Sequence, residues 1–211
     1  MHSSPDLVQI VRDFARAMKI VDARAPQAVN TRSGEHFQPG LGPHSEAQTV
    51  EMVVAEMASS FPNRYDGRVS IGIPYLGSPR QKCDFCIGFN GKWQWAIEVK
   101  MLRILGDNGK LNDNILMHIL SPYPAHRSAV TDCLKLARSP LGERSAVLIY
   151  GYEAKDWPLL PAIDAFETIA ATMVKLGQRC SAEFHGLIHP IHSSGKVFGW
   201  EVSAPARLVP R

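Results

Sequence analysis

The first third of the chain alternates polar and apolar residues with the period of a helix. Leu7, Ile10, Val11, Phe14 and Met18 recur at helical spacing, as on the buried stripe of an amphipathic helix. Ser4-Pro5-Asp6 ahead of them predicts a start with Ser4 as cap and Pro5 at the first helical position. Between residues 27 and 43 the pattern lapses into Gly, Pro and polar groups (HFQPGLGPH), which reads as a loop. A second stripe, Ala47, Val50, Val53, Val54 and Met57, predicts a helix opening at Ser45. Gln48 stands where it completes a capping box, and the stripe runs out near Ser59-Ser60.

The period then changes to two. Val69, Ile71 and Ile73 alternate along RVSIGIPY, and KCDFCIGF and KWQWAIEVKM are separated by Asn90-Gly91, a strong hairpin signal. GDNGKLNDN is a loop, and a helix is expected from about Arg127 to Arg138 after the Pro-rich SPYP. RSAVLIYGYE has the continuous apolar character of a buried strand. PAIDAFETIAATMVKLG predicts a helix with Pro at its start and Gly177 just past its end, and CSAEFHGLI and KVFGWEVSA are two closing strands. The order α, α, β, β, β, α, β, α, β, β predicts an α/β fold: a central mixed β-sheet with an antiparallel meander, flanked by helices.

Length and composition fit this picture. The 211 residues, 45% apolar and 20% charged, suit one domain over residues 1–207, with a core at about 44–153, an N-terminal helix and a C-terminal αββ extension. Residues 208–211, Leu-Val-Pro-Arg, resemble the remnant of a thrombin-cleavable tag and are set aside. A formal net charge of +3 is too weak to announce a nucleic-acid partner. The sequence has no apolar run long enough to span a bilayer, and MHSSPDLVQIVRDF lacks the basic and apolar regions of a secretory signal. With four cysteines, this predicts reduced thiols and a cytoplasmic location, with no membrane partner.

The hairpin carries the candidate chemistry. On its second strand Trp93, Trp95, Ile97, Val99 and Met101 fall on one face, and Lys92, Gln94, Ala96, Glu98 and Lys100 on the other. On the first strand Cys83, Phe85, Ile87 and Phe89 form the apolar face, opposite Lys82, Asp84, Cys86 and Gly88. Burial requires the apolar faces to coincide, which gathers Asp84, Glu98 and Lys100 on one side. A plain two-residue turn would pair residues an odd distance apart and separate Asp84 from Glu98. The pattern therefore predicts a three-residue loop, Phe89-Asn90-Gly91, with Gly91 left-handed in a bulge. Two carboxylates and a lysine on one patch suit Mg²⁺, with Mn²⁺ as substitute. Such ions take one or two carboxylates, water and substrate phosphate. Lys100 beside the ion can orient or deprotonate a water, or neutralise charge on a phosphate.

Asp84 on one strand and Glu98-Val99-Lys100 on the next, within an α-β-β-β-α-β order over residues 44 to 153, resemble the PD-(D/E)xK nuclease superfamily, the restriction-endonuclease-like fold. The resemblance implies a metal-dependent endonuclease that hydrolyses phosphodiester bonds, with DNA as partner. Asp84, Glu98 and the Val99 carbonyl would hold the metal, and Lys100 would assist the attacking water. The family often adds a Glu from the preceding helix, for which Glu46 is the choice and Glu51 the fallback. A homodimer follows by analogy with compact nucleases that cut both strands. Cys83 stands where the family pattern has Pro. Two alternatives remain: a catalytically silent nuclease-like domain for nucleic-acid binding or assembly, and a non-nuclease metal enzyme or small-molecule binder. The bland account of the same residues is a solvated outer face of an antiparallel sheet.

Arg103, Lys110, Arg127, Lys135 and Arg138 follow the candidate site in sequence and are natural phosphate contacts. His118 and Tyr123 fall between strand and helix, where a cleft would form. The 27–43 loop with Arg32, His36 and nearby His44 is either a DNA-contacting arm or a linker. Cys83-x-x-Cys86 lies on a strand, where residues three apart point to opposite faces, so a shared zinc or a disulfide is not expected. His185, His189 and His192, interrupted by Pro190, are expected to be ordinary surface or half-buried histidines.

Overall fold

The computed structural model describes residues 5–30, 33–138 and 141–205. Ser4, Arg32 and the Leu-Val-Pro-Arg terminus lie outside the described residues. In chain order the elements are α1 (Leu7–Ala23), α2 (Glu46–Ser60), α3 (Pro62–Tyr65), β1 (Val69–Tyr75), β2 (Ser78–Phe89) and β3 (Lys92–Leu102). There follow α4 (Met117–Leu120), a 3₁₀ turn (Pro124–His126), α5 (Ala129–Arg138), β4 (Gly142–Tyr152), α6 (Leu160–Ala171), β5 (Lys175–Leu176), β6 (Cys180–His185) and β7 (Ser194–Ser203).

The sheet runs β1-β2-β3-β4-β7, and both β5 and β6 pair with the far side of β7. β3 and β4 run parallel, and the other described pairs are antiparallel. Helices cover both faces. α1 and α2 bury Phe14, Met18, Val53 and Met57 against Phe85, Ile97, Val99, Leu148 and Tyr150. On the other face α5 and α6 bury Val130, Leu136, Ile163 and Phe166 against Cys86, Ala96, Val147, Ile149 and Trp200. Such a mixed sheet between helical layers is the expected α/β class and fits a generic restriction-endonuclease-like architecture. Among the described residues no helix is long and apolar enough to cross a membrane.

Several local expectations change. The cap of α1 is Asp6, whose carboxylate accepts the Gln9 N–H at 2.7 Å, so the helix begins one residue after it and Pro5 lies outside. α2 is capped by Ser45 with the Gln48 capping box, as the sequence predicts. α6 stops at Ala171 rather than near Gly177, because the next residues serve the sheet. Leu176 pairs with Val202, and the Gly177 N–H donates to the Glu201 carbonyl at 2.8 Å.

The hairpin turn is the larger correction. Phe89 pairs with Lys92 around a plain two-residue turn, with both Asn90 (φ 51°) and Gly91 (φ 76°) left-handed, as a type I′ turn requires. The bulge lies one step further in: Gly88 pairs with Trp93 but Ile87 pairs with Trp95, so Gln94 is the extra residue. The even register is thereby restored beyond the bulge, as the burial pattern demands. Trp93, before the bulge, is carried to the α5–α6 face, away from Trp95, Ile97 and Val99.

α1 is fastened to α3 through a buried carboxylate. Asp13 is fully buried and accepts from Arg64 Nε at 2.9 Å, Arg64 Nη2 at 3.1 Å, the Tyr65 hydroxyl at 2.9 Å and Gln9 Nε2 at 2.9 Å. Replacing Asp13 by Asn keeps the shape but removes the charge from these bonds. A loss of about 1.5–3 kcal/mol is expected, read as a lower urea midpoint at unchanged m-value.

Candidate functional site

The ladder between β2 and β3 ends at the Phe85–Ile97 pair. Beyond it β2 stays with β1 and β3 stays with β4, so the strands fork. Asp84, the first residue in the fork, uses Oδ2 to accept the Val99 N–H at 2.7 Å, taking a donor that a continuing ladder would have used. Glu98 and Lys100 lie across from it on β3. α5 and the loop before it close the fork into a cleft of about 510 Å³ whose lining includes Asp84, Glu98, Lys100, Asp132 and Lys135.

Each charge here is held by others. Glu98 is almost wholly buried, and its Oε1 accepts the Tyr75 hydroxyl at 2.6 Å and pairs with Lys135 Nζ at 2.8 Å. Lys135 also pairs with Asp132 Oδ1 at 2.9 Å and lies over the Tyr75 ring. Lys100 Nζ lies 2.8 Å from Asp132 Oδ2, 3.2 Å from Glu46 Oε1 and 3.2 Å from the Val99 carbonyl. The Asp132 Oδ2 contact is an ion pair without hydrogen-bond geometry. Glu46, reaching in from α2, fixes its other oxygen on the Met101 N–H at 2.7 Å.

The electrostatics are lopsided. Four carboxylates (Glu46, Asp84, Glu98 and Asp132) face two ammonium groups, an excess of two negative charges when all are ionised. Burial raises the pKa of Glu98 far above the usual range, and Asp132 and Asp84 push it further. Burial likewise raises Asp84 and Glu46. Burial works against the charge on Lys100, but Asp132, Glu46 and Asp84 outweigh it and raise its pKa. At neutral pH Lys100 is a donor, not a base.

Among the described residues no three His, Cys, Asp or Glu side chains are gathered so as to enclose a metal by themselves. The donor set nonetheless fits an ion of the magnesium kind, which needs only one or two carboxylates and completes its shell with water and substrate oxygens. Tyr75 and Lys135 both engage Oε1 of Glu98, an outer-shell restraint of the kind that orients a ligand. It does not fit a zinc cage, which needs four close ligands.

The structure thus brings together Asp84, Glu98, the Val99 carbonyl, Lys100 and Glu46, whereas Glu51 is exposed on α2. Lys135 joins the carboxylates themselves, and Arg127 and Arg138 line the cleft. Arg103 is not among the lining residues; it donates to the Gly42 carbonyl and pairs with Asp107 at 3.7 Å. Lys110 is exposed on the 106–114 loop. Asp132 and Tyr75 were not legible as site residues, although Asp132-x-x-Lys135 has the spacing of a helical ion pair.

Cys83 and Cys86 share the α5–α6 core rather than opposite faces, because β2 turns out of its ladder past Phe85. Both thiols are free, and Cys83 is pushed up by its contact with Cys86 and by burial. His189 and His192 are buried, not at the surface. Their rings stack at 4.7 Å, and His192 Nε2 lies 3.1 Å from Asp107 Oδ1. Gly42 admits this packing, since a Cβ there would meet His192 Cδ2 at 2.5 Å. His44 is buried too, and Asp22 accepts from the Leu41 and Ile188 N–H groups at 2.7 and 2.6 Å. The 27–43 loop is therefore clasped to the body at its C-terminal end. His185 is exposed beside Glu183.

Compared with family models, curated proteins and solved structures, the chain matches none.

Proposed function

We propose that the protein is a metal-dependent nuclease of the PD-(D/E)xK kind, hydrolysing phosphodiester bonds in DNA. One observation carries this reading: Asp84, Glu98 and Lys100 meet in the β2–β3 fork with Glu46 on the lysine. A solvated outer face does not explain it, since Glu98 is buried and Lys100 and Asp132 nearly so.

Asp84 and Glu98, with the Val99 carbonyl, would hold Mg²⁺ or Mn²⁺. When bound, such an ion polarises the phosphate and lowers the pKa of a coordinated water. Tyr75 and Lys135 keep Glu98 oriented. Lys100, an ammonium fixed by Asp132 and Glu46, donates to the attacking water or to a phosphate oxygen as negative charge builds there. Water oxygen bonds to phosphorus and gives up one proton, one P–O ester bond breaks, and the leaving oxygen gains a proton. The products are a phosphomonoester and a hydroxyl.

Supercoiled plasmid and circular single-stranded DNA, each incubated with Mg²⁺ or Mn²⁺ and with EDTA, test this. Cleavage by wild type that EDTA stops, and that falls by about 10²–10³-fold in Lys100→Ala as for loss of one transition-state donor, is the expected result. A folded wild type that cuts neither substrate with either metal would turn the assignment to a silent binding module.

A further inference from the structure

We propose that the cleft takes a single-stranded polynucleotide, its phosphates on Arg80, Lys82, Arg127 and Arg138 and one base stacked on Tyr123; this rests on the nuclease reading and names its substrate class. The four cations stand on the two walls of the cleft, two on β2 and two on or beside α5. All four are exposed, and among the described residues none forms an ion pair. In this they differ from Lys100 and Lys135, which the carboxylates already occupy. A ring of free cations around an acidic floor suits a backbone that bridges several phosphates, not a small monoanion.

The α4–α5 loop adds the second observation. Tyr123 is 66% exposed and immediately precedes Pro124, which lines the cleft. An aromatic so bare is otherwise a liability, yet the loop presenting it is firmly built. Ser121 Oγ lies 2.6 Å from His126 Nδ1 and accepts the Tyr123 N–H at 3.2 Å, and Ser128 Oγ donates to the Ser121 carbonyl. Arg127 sits in the left-handed region (φ 47°, ψ 46°), a conformation a non-glycine residue holds only when its surroundings impose it. The Tyr123 ring meets His126 edge-on at 5.8 Å next to Pro124 at the cleft wall, and an exposed ring so placed is a stacking platform for an unpaired base. The cleft volume, about 510 Å³, is that of a pocket for a small organic ligand, so its floor takes one or two nucleotides of the strand while the neighbouring phosphates lie on the exposed cations of its walls.

Fluorescence anisotropy in EDTA, where nothing is cut, tests the assignment with labelled oligothymidylate, oligouridylate and a hairpin duplex. The single strands are expected to bind more tightly than the duplex, and the two oligomers compared with each other separate DNA from RNA. The salt slope for oligothymidylate is expected near −3, as four phosphate contacts give on a single strand. Arg127→Ala should flatten that slope by about 0.7. Tyr123→Ala should weaken single-strand binding about tenfold while Tyr123→Phe leaves it intact. Duplex affinity equal to or above that of the single strands, or unchanged affinity in Tyr123→Ala, would overturn the assignment. Binding as expected by a chain that cuts nothing would instead overturn the nuclease reading and uphold this one.

Discussion

Replacing Asp84 by Asn is expected to abolish Mn²⁺ binding and metal-dependent cleavage while making the metal-free protein more stable. The two effects have one cause. Asp84 is an acid whose pKa is raised in the fold, by burial and by Asp132, despite the pull of Lys100 and the Val99 N–H. A carboxyl with a raised folded-state pKa destabilises the protein at pH values above it, because the ionised form is the one the fold disfavours. Asparagine removes that charge and still offers an oxygen to the Val99 N–H. It also relieves Glu98, which Asp84 pushes up. The gain is read as a higher melting temperature, each kcal/mol being worth roughly 2–4 °C for a chain of this size. The same charge is the attraction for a divalent ion, so cleavage should fall by more than the ~10–100-fold that a change in the outer shell costs. Thermal melts in EDTA and Mn²⁺ titration followed by electron paramagnetic resonance read the two effects separately. A lower melting temperature with Mn²⁺ affinity retained would mean that Asp84 is a structural ion-pair partner and that the metal reading is wrong. Trading stability for a strained, charge-crowded site is common where function requires it.

What the sequence made legible follows from how local each signal is. The stripes of α1 and α2 and the Ser45 capping box are local, and they stand where the pattern puts them. The pairing of Asp84 with Glu98 and Lys100 was legible because burial on both strands of one hairpin leaves a single even register. The meeting of Glu46 with Lys100 spans two layers and was reached only through the resemblance. Asp132 and Tyr75 were not legible, because nothing local distinguishes a helical Asp paired at i+3, or a Tyr ending an edge strand, from surface residues. Tertiary contact decides them: the α5 face turns Asp132 inward, and Tyr75 reaches Glu98 only because β1 lies beside β2. The end of α6 failed for a related reason, since β7 captured a stretch whose own pattern was helical.

The bulge shows how a correct register can rest on the wrong turn, and it sets the last prediction. Gly88→Ala is expected to cost more stability than any other single glycine-to-alanine change in the hairpin and to dismantle the site. A Cβ at Gly88 would lie 2.1 Å from the Lys92 carbonyl oxygen and 2.8 Å from the Trp93 Cα. These are backbone atoms, so no side chain can step aside. The Gly88 N–H is also held by the Arg68 carbonyl at 2.8 Å, which prevents the strand from retreating. If the bulge is lost, the two-residue turn imposes its odd register along the whole hairpin. Phe85 and Ile97 then fall out of step, and Asp84 no longer faces Glu98. The penalty should reach or exceed the upper end of the ~1–3 kcal/mol typical of overpacking. Gly91→Ala is the control: it is left-handed, with nothing within 4 Å of the added Cβ. It should cost only about 1–2 kcal/mol and leave the register alone. Urea midpoints for the two variants, with nicking activity measured beside them, decide the matter. Equal costs, or activity retained in Gly88→Ala, would show that the register is fixed by the strand faces alone and needs no bulge to bring Asp84 and Glu98 together.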